Sequence, residues 1–335
     1  MIARRSVWSN PEVQALLQSF VTVADEVGRL QRGDDAESEV FRGFCESGHY
    51  GGRTQPTNTR QGTYAVAPSG RFLASINSND PQKMAAMLRT ALQRYGELDA
   101  AARRLPQEQQ QRLAAGRRFE DRCPQDGLVL AEYVRDLDRP AEAGAAAGDG
   151  AADWRTRAWN EDQVWFSAAE ARAWVPATPT VGAVTELPER LAVRLVRLHL
   201  VDSVRGQTPS LPRDSVRTAS FRSEVTAVDG DRVHLKIGGS TLAVQSGRWI
   251  VRDRGEPVDH ERGVRTQIEG RAEFDTKANR FVLFELLCTG ERWGATQYNG
   301  RADDQQKAPI GFAFVLAEPD HPRVAPAFWW EYDLH

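Results

Sequence analysis

The sequence predicts an α+β fold. Three observations carry this. Apolar residues recur at helical spacing through much of the first two hundred residues. From about residue 207 onward they alternate, as in half-buried strands. Between the two, "RPAEAGAAAGDGAAD" at 139 to 153 is an Ala/Gly-rich break of linker composition. The expected organisation is an α/β domain over 1–96, a helical connector and linker over 97–153, central helices over 154–206, and an antiparallel β-sheet or half-barrel over 207–335.

Asn10 before Pro11 is a good N-cap followed by proline at the first helical position, and Val13, Leu16, Leu17 and Phe20 then follow at helical spacing. "FVTVADEV" reads as a strand. A helix is expected over 36–46, carrying Val40, Phe41 and Phe44. "TYAVAPSGRFLASIN" reads as a hairpin turning at Ser69-Gly70. Asp80-Pro81 opens a further helix whose Met84, Met87, Leu88, Ala91, Leu92 and Tyr95 form one apolar stripe.

This order and wording resemble the thioredoxin-like superfamily. "SNPEVQALLQSFV" is similar to the segment after that family's redox motif, and "YAVAPSGRFLASI" to its terminal hairpin; the resemblance covers about residues 7 to 95. It implies a thioredoxin-like domain without its first strand. It carries over no active-site residue, because no cysteine precedes Cys45 and Gln61-Gly62 stands where a proline is expected. Dithiol exchange needs two neighbouring thiols, so redox activity is not expected.

Residues 97 to 137 read as helical and charged. "WNEDQVWFSAAEARAW" reads as a helix with Asn160 and Gln163 as capping box. On the next helix, 188 to 204, Leu191, Leu195, Leu198 and Asp202 share one face, and Val193, Val196, Leu200 and Val204 share the opposite one. A helix apolar on two sides is buried. That places Asp202 on a buried stripe with His199 beside it, either as a structural pair with an arginine or with His199, or as a His–Asp unit in which the carboxylate orients the imidazole for acid–base work or metal binding.

In the last third, "SFRSEVTAVDGDRVHLKI" is a hairpin at Asp229-Gly230. Strands follow at 264–274, 280–288 and 310–316. Phe281 to Cys288 is apolar except for Glu285, which reads as a second buried acid. The loop after it, "CTGERWGATQYNGR", is rich in Arg, Trp, Tyr and carboxamides, and "FCESGHYGGRTQPTNTRQG" at 44–62 is similar in content.

These features give the expected site. His199, Asp202 and Glu285 are its candidate catalytic residues. His49, Tyr50, Arg53, Arg292, Trp293, Gln297, Tyr298, Asn299 and Arg301 are its candidate ligand-binding residues, in a pocket between the two domains. The expected partner is a small polar or anionic molecule, held by arginines and aromatic surface. One alternative is a non-catalytic adaptor that binds a partner protein through the same residues. Another is a metal-dependent enzyme using His49 and His199. No cofactor is specified. The net charge of −3 gives no footprint for nucleic acid. No run approaches the ~20 apolar residues of a membrane span. With three scattered cysteines and no leader at residue 1, the expected location is the cytoplasm, or outside it if residue 1 is not the natural start. P-loop, dinucleotide-binding, zinc-protease and nucleophile-elbow motifs are all absent.

Overall fold

The protein is seen in a computed structural model that describes residues 7–8, 10–25, 27–49, 59–116, 121, 124, 126–137, 158–252, 255–318 and 323–332. The chain divides into two compact units, Met1–Arg122 and Cys123–His335. The linker expected at 139–153 lies outside the described residues.

In the N-terminal unit, α1 (Pro11–Leu17) is capped by Asn10, whose Oδ1 accepts from the Glu12 and Val13 backbone N–H groups at 3.0 and 3.2 Å. Helices α2 (Val27–Arg32) and α3 (Ala36–Cys45) follow. Strands β1 (Thr63–Val66) and β2 (Phe72–Ile76) form an antiparallel hairpin, turned by Gly70 at φ 79°. Helix α4 (Pro81–Glu97) is capped by Asp80, and α5 (Gln107–Ala115) ends the unit's described elements. Met84, Leu88 and Ala91 of α4 pack with Val13 and Leu73, so the methionine stripe is core. The expected strand at "FVTVADEV" is not formed by residues 20–25. Val21 and Val23 are exposed there, and the described sheet holds only β1 and β2. Alternation alone does not make a strand when no neighbour offers backbone partners.

The C-terminal unit is built on eight antiparallel strands in the order β4-β3-β10-β9-β8-β7-β6-β5. They are β3 (Leu128–Asp136), β4 (Trp159–Phe166), β5 (Val184–Glu186), β6 (Val216–Asp229), β7 (Arg232–Trp249), β8 (Val258–Asp275), β9 (Arg280–Trp293) and β10 (Ala308–Leu316). One face carries Leu130, Ile310, Phe312, Phe314, Phe284, Leu286, Ile268, Leu235 and Ile237, packed with residues of α6 (Ala168–Arg172) and α7 (Glu189–Leu198). Trp174, just after α6, is central. Its ring meets Phe166, Phe221 and Phe284 edge-on at 6.2, 6.0 and 5.4 Å.

Four expectations change here. Residues 128–136 are a strand, not a helix. Leu128 to Ala131 are all buried, so both faces are covered and no period shows. "WNEDQVWF" is likewise a strand within the region read as central helices. Asp162, Val164 and Phe166 pair with core-facing residues of β3, while Trp165 on the other face is also buried. The capping box lies further on, where Ser167 and Glu170 cap α6 reciprocally. Helix α7 stops at Leu198, with His199 as its C-cap, so Asp202 lies beyond the helix. Glu285 is not a buried acid. A register irregularity between Glu273 and Phe274 turns both Phe281 and Phe284 inward, which sends Glu285 outward to Arg271 Nε at 2.7 Å.

The Trp174 Nε1 group has no hydrogen-bond partner among the described residues. Trp174→Ala, which removes the ring contacts to Phe166, Phe221 and Phe284 and leaves a cavity, should cost about 3–5 kcal/mol by denaturation followed by circular dichroism. Trp174→Phe keeps most of the ring contacts and should cost less than about 2 kcal/mol.

Candidate functional site

The loop after β9 is closed on itself by polar contacts. Asn299 Oδ1 accepts from the backbone N–H groups of Thr296 and Arg301 at 3.0 and 3.2 Å, forming a tight turn. His260 Nε2 accepts from the Ala295 N–H at 2.9 Å, and Trp249 Nε1 donates to the Ala295 carbonyl at 2.8 Å. Gly206 abuts the loop so closely that a Cβ there would lie 1.9 Å from the Tyr298 carbonyl oxygen. Trp293 donates to Glu261 at 2.9 Å. Tyr298 is left exposed and Gln297 half-buried.

Arg301, with 0% exposure, grips two carboxylates at once. It reaches Asp202 at 2.7 and 2.8 Å and Asp136 at 2.6 and 2.9 Å. Arg205 bridges Asp136 and Asp304, both at 2.7 Å. Arg292 reaches Asp304 Oδ2 and its carbonyl, both at 2.6 Å. Burial pushes the Asp136 carboxyl up, but the hydrogen bonds and charge of Arg301, with Arg205 and Arg292, outweigh it and leave the pKa below 3.8. Asp202 is therefore the partner of an arginine and not of His199. Two of the three arginines expected to hold an anionic ligand, Arg292 and Arg301, are engaged with the protein's own carboxylates.

His199 has other neighbours. Glu132 of β3 and Asp162 of β4 are direct cross-strand partners on the core face. His199 Nδ1 lies 2.6 Å from Glu132 Oε2 and 3.5 Å from Asp162 Oδ2. On the other side of the ring, His199 Nε2 is hydrogen-bonded to Tyr332 Oη. Asp162 Oδ1 accepts from the N–H groups of Gln163 and Ala327 at 2.8 and 2.9 Å, which aims Oδ2 at the imidazole. His199, Glu132 and Tyr332 are 1%, 2% and 3% exposed.

Burial dominates this chemistry. It raises Glu132 well above 4.5 and drives Asp162 to about 7, where the charge of His199 holds it down and that of Glu132 pushes it up. It lowers His199 to about 4 and raises the Tyr332 phenol. At neutral pH the imidazole is thus uncharged. Glu132, its carboxyl raised well above 4.5 by burial, shares a hydrogen bond with Nδ1, and Tyr332 shares one with Nε2. Burial raises both carboxyl groups, and two like charges directly opposite on neighbouring strands would be destabilising, which raises Asp162 further.

The C-terminal segment closes the cluster. The Val324 N–H donates to Gln163 Oε1 at 3.1 Å, and the Ala327 N–H reaches Asp162 on the opposite face of the edge strand β4. Glu331 accepts from Arg197 and Ser210 at 2.5 Å each. Arg194 lies over the Tyr332 ring at 4.7 Å while its Nη atoms hold Glu170.

Of the other expected residues, His49 belongs to the N-terminal unit. Its Nδ1 is 2.8 Å from Ser75 Oγ, its Nε2 is 3.3 Å from the Gln61 carbonyl, and its ring stacks on Tyr64. Tyr50 and Arg53 lie outside the described residues. Glu132, Asp162 and Tyr332 were not anticipated. Glu132 had a visible signal, a lone acid in the apolar run Leu128 to Val134. The helical reading of 97–137 concealed it.

Arg301→Met should destabilise the protein by about 3–5 kcal/mol in denaturant titrations, because two carboxylates lose their buried partner. A pH dependence follows from Asp162. Its folded pKa of about 7 exceeds the model-peptide 3.8, so its stabilisation is complete below pH 4 and is lost as pH rises through 7. His199 works oppositely between about 4 and 6.5, and Asp136 titrates below this window. With a chelator present, wild type should lose on the order of 2 kcal/mol relative to Asp162→Asn from pH 5 to 7. A difference that stays flat across that range excludes the assigned protonation.

The chain matches no family model, no curated protein and no solved structure.

Proposed function

We propose that the C-terminal unit binds a small polar molecule and acts on it by proton transfer at Glu132, Asp162, His199 and Tyr332. One observation carries the proposal. A carboxylic acid, a second carboxyl group, a neutral imidazole and a phenol converge within an apolar core, three of them around one ring. Groups that give and accept protons at this range suit general acid–base work. The acidic character of the cluster favours neutral or cationic molecules over anions. The paired state of Arg292 and Arg301 points the same way.

Access requires the segment 324–332 to lift, since Tyr332 and Ala327 cover the cluster. The N-terminal unit is proposed to be a thioredoxin-like domain without dithiol chemistry. The order α3, β1-β2 hairpin, α4 supports this. So does the burial of the free thiol Cys45, whose pKa is raised by that burial.

A thermal-shift panel of neutral, cationic and anionic polar compounds at pH 7 tests the proposal. Neutral or cationic members should raise the melting temperature of wild type by about 2 °C or more, as expected for ligands that bind only the folded state. Glu132→Gln, of equal size, should lose that response. A response in both proteins alike places the ligand elsewhere, and no response to any compound in wild type sinks the reading.

A further inference from the structure

We infer that Glu132, Asp162 and His199 form a three-donor site for a divalent transition-metal ion of the zinc or cobalt type. The inference rests on the reading of this cluster as a ligand-binding centre and names the ion it would hold; these three side chains would then ligate the ion, and proton transfer would fall to a water at its open position.

The donor set is the first argument. One imidazole nitrogen and two carboxylate oxygens all lie within 4.8 Å of one another. Imidazole and carboxylate together suit borderline divalent ions such as zinc. His199 Nδ1 and Asp162 Oδ2 are 3.5 Å apart. Two donors each ~2.1 Å from one ion at a tetrahedral angle are separated by ~3.4 Å. Glu132 Oε2 is closer, at 2.6 Å, where a proton bridges it to Nδ1. An ion in place of that proton moves the carboxylate by ~1 Å.

The second argument is how the donors are held. Ligating imidazoles donate their other ring N–H to a fixed acceptor, which sets the tautomer. Tyr332 stands at Nε2 in that role. Asp162 Oδ1 is held by two backbone N–H groups, which leaves Oδ2 for the ion. The contacts that orient His199 and Asp162 therefore occupy none of their donor atoms.

Charge is the third. Glu132 and Asp162 face each other across neighbouring strands in an apolar core. The nearby guanidinium of Arg194 is turned to Glu170 and the Trp165 carbonyl. A divalent ion neutralises both carboxylates at once. Three protein donors also leave a coordination position for water or substrate, the arrangement of catalytic rather than structural metal centres. The protein's surface provides a contrast. His234 lies near Asp229 and Glu273 at 3.2 and 3.5 Å, but all three are substantially exposed.

The test uses the untagged full chain. It is stripped with a chelator, then titrated with Co2+ followed by visible absorption and with Zn2+ followed by melting temperature. Wild type should take up about one equivalent, with the absorption of four- or five-coordinate Co2+. Asp162→Asn and Glu132→Gln, which preserve side-chain shape, should bind at least ~10-fold more weakly, and Tyr332→Phe roughly 10-fold more weakly. His234→Ala should bind as wild type does. No uptake by folded wild type overturns the inference, as does uptake lost in His234→Ala but kept in Asp162→Asn. If metal fails while polar compounds still stabilise wild type and not Glu132→Gln, the metal assignment alone falls. If both fail, the binding centre falls with it.

Discussion

Arg301 ties three separate parts of the C-terminal unit to one planar group. Its guanidinium holds the end of β3 through Asp136, the segment after α7 through Asp202, and, by its own position, the loop after β9. A fully buried guanidinium is tolerated only when its donors meet carboxylates in good geometry. Once these partners are engaged, the chain between α7 and the next strand is committed. His199 lies three residues before Asp202, so the same clamp helps set where the imidazole stands.

Strand β3 connects two opposite electrostatic solutions. Glu132 and Asp136 point to the same face, four residues apart, or ~13 Å along a strand. At Asp136, arginines supply positive charge and the carboxyl stays ionised. At Glu132 no guanidinium is hydrogen-bonded among the described residues, and burial keeps the proton on. A single sheet face thus holds a charged arginine–aspartate network and a buried acid–imidazole cluster. In the first, Asp136, Asp202 and Asp304 are each paired with an arginine. The second sets its two acids against an imidazole and a phenol instead.

The loop "CTGERWGATQYNGR" illustrates how composition misleads about role. Arg, Trp, Asn and Tyr are binding residues in many proteins, but the same donors can also saturate one another. Here Arg292, Asn299 and Arg301 are buried and paired, while Tyr298 is exposed and Gln297 half-buried. Spacing alone does not separate an ion pair of Asp202 with arginine from a unit with His199. Both put the carboxylate near the end of one helix.

What the sequence determined by itself is local. The caps Asn10 and Asp80, the turn at Gly70, the apolar stripe of α4 and the alternation through Val233, Leu235 and Ile237 all follow from contacts a few residues apart. Those forces act whatever the rest of the chain does. The site was decided by tertiary structure. His199 meets Glu132 across 67 residues and Tyr332 across 133, and Arg301 meets Asp202 across 99. A register irregularity opposite β9 turned Glu285 to solvent, while the pairing of β3 with β4 put Glu132 beside Asp162. Which lone acid in an apolar run becomes buried depends on strand register and on which strands are neighbours. Side-chain period reports neither, because a shift of one residue exchanges the two faces of a strand.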